Sequence, residues 1–204
     1  MRIGLFGGTF DPPHIGHLIV AQDARFGLSL DRLVFIPAAQ PPHKRGSISP
    51  APLRLAMLEA AVAGEPGFDI DDVELNRPGA SYTVDTLRIY RTRYPADELF
   101  LLMGADQFAE IASWREADAL PSLATLAVLS RGGAGHDASR RESAGPGPIE
   151  VSVTRIDLSA TEVRRRVAAG EPIRYLVPSG VEELIRRHGL YTRAPARTGA
   201  PAPG

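Results

Sequence analysis

The 204-residue sequence predicts an α/β protein: a doubly wound, mostly parallel sheet with helices on both faces. Three observations carry that expectation. Apolar runs of strand length alternate with helix-patterned segments along the chain. A glycine-rich turn joins the first apolar run directly to the first helix. The segments that carry chemistry fall where strands end, which is where open α/β sheets hold their ligands.

Taken in order, Ile3–Phe6 is a short buried strand, and Leu18–Phe26 lies on the first helix. Leu33–Pro37 is a second strand. Ala51–Ala63, rich in alanine and leucine, is a helix, and Phe68–Leu75 alternates apolar with acidic residues as a half-exposed strand does. Thr83–Tyr94 places Val84, Leu87, Ile89 and Tyr90 at helical spacing. Leu99–Met103 is a buried strand ending at Gly104, and Asp106–Leu120 is helical, as one piece or two. Thr125–Ser130 and Glu150–Ile156 are further strands. Thr161–Ala169 and Ser179–His188 are the last helices, the final one closed by Gly189 as a left-handed cap. Residues 1–192 are expected to form one domain. The segment 131–148, dense in glycine, serine and proline, is expected to be a flexible loop holding His136, and 193–204 a disordered tail.

Composition narrows the function. Hydrophobic residues make up 44% of the chain, enough for a proper core, and the formal net charge of −1 offers no basic field for nucleic acid or a membrane surface. With no cysteine, disulfides, thiolate metal sites and thiol nucleophiles are excluded together. No run reaches the roughly 20 apolar residues of a membrane-spanning helix, and the N-terminus does not read as a secretion signal, so a cytoplasmic location is expected.

The most informative stretch is Gly7-Gly8-Thr9-Phe10-Asp11-Pro12-Pro13-His14-Ile15-Gly16-His17. Glycines let backbone N–H groups approach an anion, and a helix N-terminus adds unpaired donors and the positive end of a dipole. His14 and His17, three residues apart, share a helix face and can address one anion. A bare βα turn with two surface histidines accounts for the glycines alone but not for the whole string. A dinucleotide-binding G-x-G-x-x-G is absent, as is the G-K-[ST] of a P-loop. A metal pair lacks a third ligand at suitable spacing.

Four further segments follow strands. Pro37-Ala38-Ala39-Gln40-Pro41-Pro42-His43-Lys44-Arg45 is a proline-stiffened loop whose Lys44 and Arg45 suit phosphates, or simply form a solvated basic turn. Gly79-Ala80-Ser81-Tyr82-Thr83-Val84-Asp85-Thr86-Leu87 enters a helix that Ser81 or Thr83 could cap. Gly104-Ala105-Asp106 offers a carboxylate to ribose hydroxyls, or a helix N-cap, and Trp114 follows it as a stacking surface or a core residue. Leu158-Ser159-Ala160-Thr161-Glu162-Val163-Arg164 opens a helix as a second anion site. Ser159 and Glu162 also fit a capping box, and the two roles are compatible.

Together these motifs resemble the bacterial nicotinate mononucleotide adenylyltransferases, within the nucleotidyltransferase superfamily that carries an HxGH signature. The resemblance covers Met1 to about Tyr191 in order and spacing, and Ser-Tyr-Thr-x-Asp-Thr-Leu is what selects this family. Phosphopantetheine adenylyltransferases share the first motif but lack that loop. There are two departures: Ala160 stands where the family usually has serine, and Pro13 where isoleucine or valine is common.

The resemblance implies a Rossmann-like nucleotidyltransferase fold and transfer of AMP from ATP to nicotinate mononucleotide, giving nicotinate adenine dinucleotide and pyrophosphate. It implies His17 at the α-phosphate, His14 on the ATP phosphates, and the backbone of Gly8, Thr9 and Phe10 as a cradle. Lys44 would contact phosphates, Ser159, Thr161 and Arg164 the triphosphate, and Asp106 the adenosine ribose. Tyr82, Thr83 and Thr86, with Trp114, would hold the nicotinate ring. Mg²⁺ is expected to arrive with ATP, since no carboxylate cluster suggests a cage of its own. The expected partners are the two substrates, with neither nucleic acid nor membrane; homo-oligomers are compatible with the sequence. A sibling transferase acting on nicotinamide mononucleotide or another phosphorylated acceptor, and a nucleotide-binding regulatory domain without activity, stay open at this point.

Overall fold

A computed structural model describes residues 1–40, 48–130 and 147–192. Lys44, Arg45 and His136, most of the expected flexible loop, and the expected tail lie outside the described residues. Six strands form one parallel sheet: β1 (Arg2–Gly8), β2 (Arg32–Pro37), β3 (Phe68–Ile70), β4 (Glu98–Gly104), β5 (Thr125–Ser130) and β6 (Ile149–Ser152). Their order is β3-β2-β1-β4-β5-β6. The helices are α1 (Ile15–Gly27), α2 (Ala51–Val62), α3 (Thr83–Arg93), α4 (Ala105–Ala109), α5 (Leu120–Leu123), α6 (Ala160–Ala169) and α7 (Ser179–Arg187).

The near-continuous apolar runs of the strands are split by the pleat between two cores, as expected of a sheet covered on both sides. Phe6, Leu33, Phe35, Phe100, Leu102, Ala127, Leu129 and Val151 point to one face, where Ala21 and Ala24 of α1 and Leu58 of α2 cover them. Ile3, Leu5, Val34, Ile36, Leu99, Leu101, Met103, Leu126 and Val128 point to the other, against Val84, Leu87 and Tyr90 of α3 and Leu120 of α5. A third cluster joins α2 to α6 and α7 through Met57, Val163, Val181 and Ile185, with Ile173 and Val177 between the last two helices. Helix α2 thus belongs to two cores, and through it the C-terminal segment is tied to the sheet.

Three expected elements come out shorter or broken. The strand expected over Phe68–Leu75 ends at Ile70. Asp71 is the cause: its carboxylate accepts from the Val73 N–H (2.9 Å) and the Tyr90 hydroxyl (2.7 Å) and pairs with Arg93 (2.6 Å), turning the chain off the sheet edge. The last strand stops at Ser152 rather than Ile156, and the Thr154 N–H donates to Asp23 of α1 (2.6 Å). The helix expected from Asp106 to Leu120 divides into α4, two short 3₁₀ turns and α5. Trp114 is extended, and Glu116 sits in the left-handed region at φ 51°. That break turns Trp114 out of a helical register.

Helix α6 carries one strong local charge device. Glu162 in its first turn accepts from Arg165 and Arg166, both at 2.9 Å, and these pairs hold its carboxyl down at about 2. A carboxylate whose folded pKa lies below its unfolded value of 4.5 stabilises the fold above that value, and the contribution fades as pH falls toward 2. Glu162→Gln is therefore expected to be less stable than the parent at pH 7, with the difference vanishing between pH 4.5 and 2 and shrinking in salt. Urea unfolding across that pH range, at low and high ionic strength, measures it.

Candidate active site

Strands β1 and β4 are neighbours at the centre of the sheet. The chain leaves β1 toward α1 on one face and leaves β4 toward α4 and α5 on the other. A cavity of about 1110 Å³ opens above the ends of both strands. Sites for one small ligand typically measure roughly 300–1,000 Å³, so this cavity lies just above that range. Every described residue that the sequence singled out lines this cavity: Gly8, Thr9, Phe10, His14, His17, Tyr82, Thr83, Thr86, Asp106, Trp114, Ser159, Thr161 and Arg164.

The floor is the turn after β1. Phe10 takes the left-handed conformation at φ 49°, which costs on the order of 1–3 kcal/mol in a residue other than glycine. Packing compensates: its ring meets Phe6 at 5.9 Å and Phe35 at 5.7 Å between centroids and is 2% exposed. The ring lies so close beneath Gly8 that a Cβ there would sit 2.8 Å from it, so the turn accepts only glycine at that position. His14 is the N-cap of α1, and His17 lies in its first turn. Their imidazoles stack with centroids 3.7 Å apart. His17 Nδ1 accepts from the His14 backbone N–H (3.2 Å), which assigns the ring proton of neutral His17 to Nε2. Gly16 leaves space for this pair, since a Cβ there would lie 3.0 Å from His14 Nδ1.

Beneath the floor lie residues to which the sequence alone assigns no role. Arg54 of α2 is 1% exposed. Its guanidinium donates to the carbonyls of Thr9 (2.8 Å), Ser49 (3.0 Å) and Ala39 (3.5 Å), and burial lowers its pKa. One buried cation therefore joins the signature turn to both flanks of the loop after β2. The signal was present: Arg54 shares the spacing of Met57, Leu58 and Ala61, which puts a charge on the apolar stripe of an alanine-rich helix. Asp11 is buried as well. Its carboxylate accepts from the Ser49 N–H (3.1 Å) and the Tyr191 hydroxyl (2.6 Å), and burial together with Asp11 pushes the Tyr191 phenol well above its usual pKa. Nothing in the sequence pairs positions 180 residues apart.

One wall is the start of α6. Ser159 caps it by accepting from the Glu162 N–H (3.1 Å), as expected. The reciprocal half of the capping box does not form, because Glu162 is engaged with the two arginines. Arg164 donates to the Asp11 carbonyl (2.7 Å) and to the Thr161 hydroxyl (3.1 Å), bridging this wall to the floor.

The opposite wall is the loop into α3. Neither Ser81 nor Thr83 caps that helix. The Ser81 hydroxyl accepts from the Ala39 N–H (2.9 Å), fastening the loop to the end of β2. Thr86 is buried in the wall, and its hydroxyl donates to Glu74 (2.6 Å), so its contribution there is to hold shape. Arg77 donates to the Tyr82 carbonyl (3.3 Å), and the Arg115 guanidinium stands 4.7 Å from the Tyr82 ring centroid. Trp114 is partly buried beside them. Asp106 lies exposed in the first turn of α4. The N-cap of that helix is Gly104, whose N–H donates to Gln107 (3.1 Å), so Asp106 is not spent on capping.

Residues 5–166 match the family described as cytidylyltransferase-like. A Thermus thermophilus protein named "Probable nicotinate-nucleotide adenylyltransferase" is 47% identical over 191 residues, covering 94% of this chain and 100% of its own length. A Thermomicrobium roseum protein of the same name is 48% identical over 93% of this chain and 91% of its own. The chain belongs to the cytidylyltransferase-like family, and within it to the nicotinate-nucleotide adenylyltransferases. Its fold is shared with the nicotinic acid mononucleotide adenylyltransferase of Plasmodium falciparum, solved in complex with NaAD. The TM-score is 0.76 at 18% identity, over 93% of this chain and 97% of that one.

The contact between Gly16 and His14 yields a test. Alanine is a better helix residue than glycine by about 1 kcal/mol, yet its Cβ would press on the His14 ring. Gly16→Ala is expected to keep or raise the melting temperature while turnover falls about tenfold through a displaced imidazole. Calorimetry and initial rates on one preparation check both halves.

Proposed function

We infer that this protein is a nicotinate-nucleotide adenylyltransferase, transferring AMP from ATP to nicotinate mononucleotide and releasing pyrophosphate. The observation that carries the reading is convergence. In a chain of this family, the HxGH turn, the Ser-x-Thr-x-x-Arg helix and the Ser-Tyr-Thr loop line one cavity of about 1110 Å³.

In this reading a phosphate oxygen of nicotinate mononucleotide attacks the α-phosphorus of ATP, and the bond from that phosphorus to the oxygen bridging the α- and β-phosphates breaks, that oxygen leaving on pyrophosphate. The attacking oxygen is ionised near neutral pH, so no general base is required. The barrier is electrostatic, because two anions meet while charge builds on the departing pyrophosphate. His17, as an Nε2–H donor, is assigned to the α-phosphate. His14, the backbone of Gly8 to Phe10, and Ser159, Thr161 and Arg164 are assigned to the triphosphate. Asp106 is assigned to the adenosine ribose, and Tyr82 and Thr83, with Trp114, to the nicotinate ring. Lys44, outside the described residues, is proposed to reach the phosphates from the loop that Ser49 and Ala39 anchor.

Among the described residues no group of three His, Asp or Glu side chains could hold a metal. The donors facing the cavity suit phosphate oxygens better than a bare cation, which supports Mg²⁺ entering on the phosphates of ATP. Also among the described residues, no helix is long and apolar enough to cross a membrane.

Pyrophosphate release with ATP and Mg²⁺ tests the reading, with nicotinate mononucleotide, nicotinamide mononucleotide and phosphopantetheine as competing acceptors. Strong preference for the first is expected, and preference for either of the others would overturn the acceptor. His17→Ala is expected to cut turnover by two orders of magnitude or more with the fold intact, since one transition-state donor is worth about 3 kcal/mol. Circular dichroism beside the rate assay separates loss of chemistry from loss of structure.

A further inference from the structure

We propose that Tyr191, 27 residues beyond Arg164 in the chain, is a positioning residue for the phosphate-binding turn and acts through Asp11. The chain brings two C-terminal contacts onto that turn. At one end the Tyr191 hydroxyl donates to Asp11 Oδ1 (2.6 Å). At the other the Ile15 N–H, the first of α1, donates to the Leu176 carbonyl (3.0 Å). Residues 11 to 15, which contain His14, are therefore held between two points of the C-terminal segment.

Asp11 is where the pieces meet. Its two carboxylate oxygens face Tyr191 and the Ser49 N–H, and its carbonyl accepts from Arg164 (2.7 Å). One residue thus fixes the turn, the far anchor of the loop after β2, and the arginine assigned to the triphosphate. Asp11 is 4% exposed, so water cannot replace a lost partner. Tyr191 is held in turn: it occupies the left-handed region at φ 63°, follows the left-handed Gly189, and packs with the α2–α6–α7 cluster. Removing its hydroxyl leaves a buried carboxylate oxygen short of a donor, and the nearest relief is a shift of the turn that also bears the Arg164 contact. A small misplacement of that kind weakens transition-state contacts more than it weakens the fold.

The inference rests on the assignment of this cavity to adenylyl transfer. The test is Tyr191→Phe in the full-length protein, against Ile185→Ala, which loosens the same cluster without touching the hydrogen bond. At a temperature where both are folded, Tyr191→Phe is expected to lower kcat about tenfold with KM for nicotinate mononucleotide within about twofold of the parent. Ile185→Ala is expected to lose at least as much melting temperature with kcat within about twofold of the parent. Wild-type kcat in Tyr191→Phe, or parallel loss of kcat and melting temperature in both variants, overturns the proposal. Calorimetric titration with ATP separates this from a failed substrate assignment. If the parent does not turn over nicotinate mononucleotide but binds ATP, Tyr191→Phe is expected to weaken ATP about tenfold, and unchanged affinity overturns the positioning role.

Discussion

Parallel pairing of β1 with β4, with their chains leaving to opposite faces, is the constraint on which the rest of the structure depends. Neither connection can cover the space above the two strand ends, so a crevice forms there. Gly8 and Gly104 end these two strands, and each lets backbone or a neighbouring side chain come close. The N-termini of α1 and α6 reach the same crevice from one side, and the α3 loop and Trp114 reach it from the other. The glycine turn with its helix N-termini and the aromatic wall are thereby set against each other across the cavity.

The cradle depends on burial as well as on charge. Phe10 in the left-handed region, Arg54 under the floor and the buried Asp11 each carry a cost, and each cost is offset by a specific partner: aromatic rings for Phe10, three carbonyls for Arg54, and a hydroxyl and an amide for Asp11. Their common effect is to fix backbone atoms of residues 9 to 11, which overlap the Gly8–Phe10 backbone proposed as the phosphate cradle. Preorganised donors of this kind need little rearrangement at the moment of reaction, which is why electrostatic catalysis favours stiff turns. The exposed ion pairs of α6 and α7 are of another kind: several lie within one turn of their own helix, and they stabilise locally.

Much of this was legible in the chain. Strand and helix alternation placed all six strands within one residue at their starts and led to the parallel, two-faced sheet, because buried parallel strands have no polar face and read as unbroken apolar runs. The misreadings have local causes that periodicity does not see. Asp71 ends β3 because a tyrosine and an arginine on α3 claim its carboxylate. The helix expected over Asp106–Leu120 is broken after Ala109 and again by the extended Trp114 and the left-handed Glu116, and Trp114 lines the cavity. The cap that Ser81 or Thr83 could supply does not form, and the Ser81 hydroxyl accepts from the Ala39 N–H instead.

The sequence by itself determined the individual strands and helices, the glycine turn feeding α1, the capped start of α6, and the motifs that lie at strand ends, since each of these is written in spacing and residue type over a short stretch of chain. Only the tertiary structure decided how that set is held. The strand order that puts β4 beside β1, the Arg54 guanidinium under Thr9, and the Tyr191 hydroxyl on Asp11 all join positions far apart in the chain. Such contacts arise from which surfaces pack together, and no local pattern of residues encodes them.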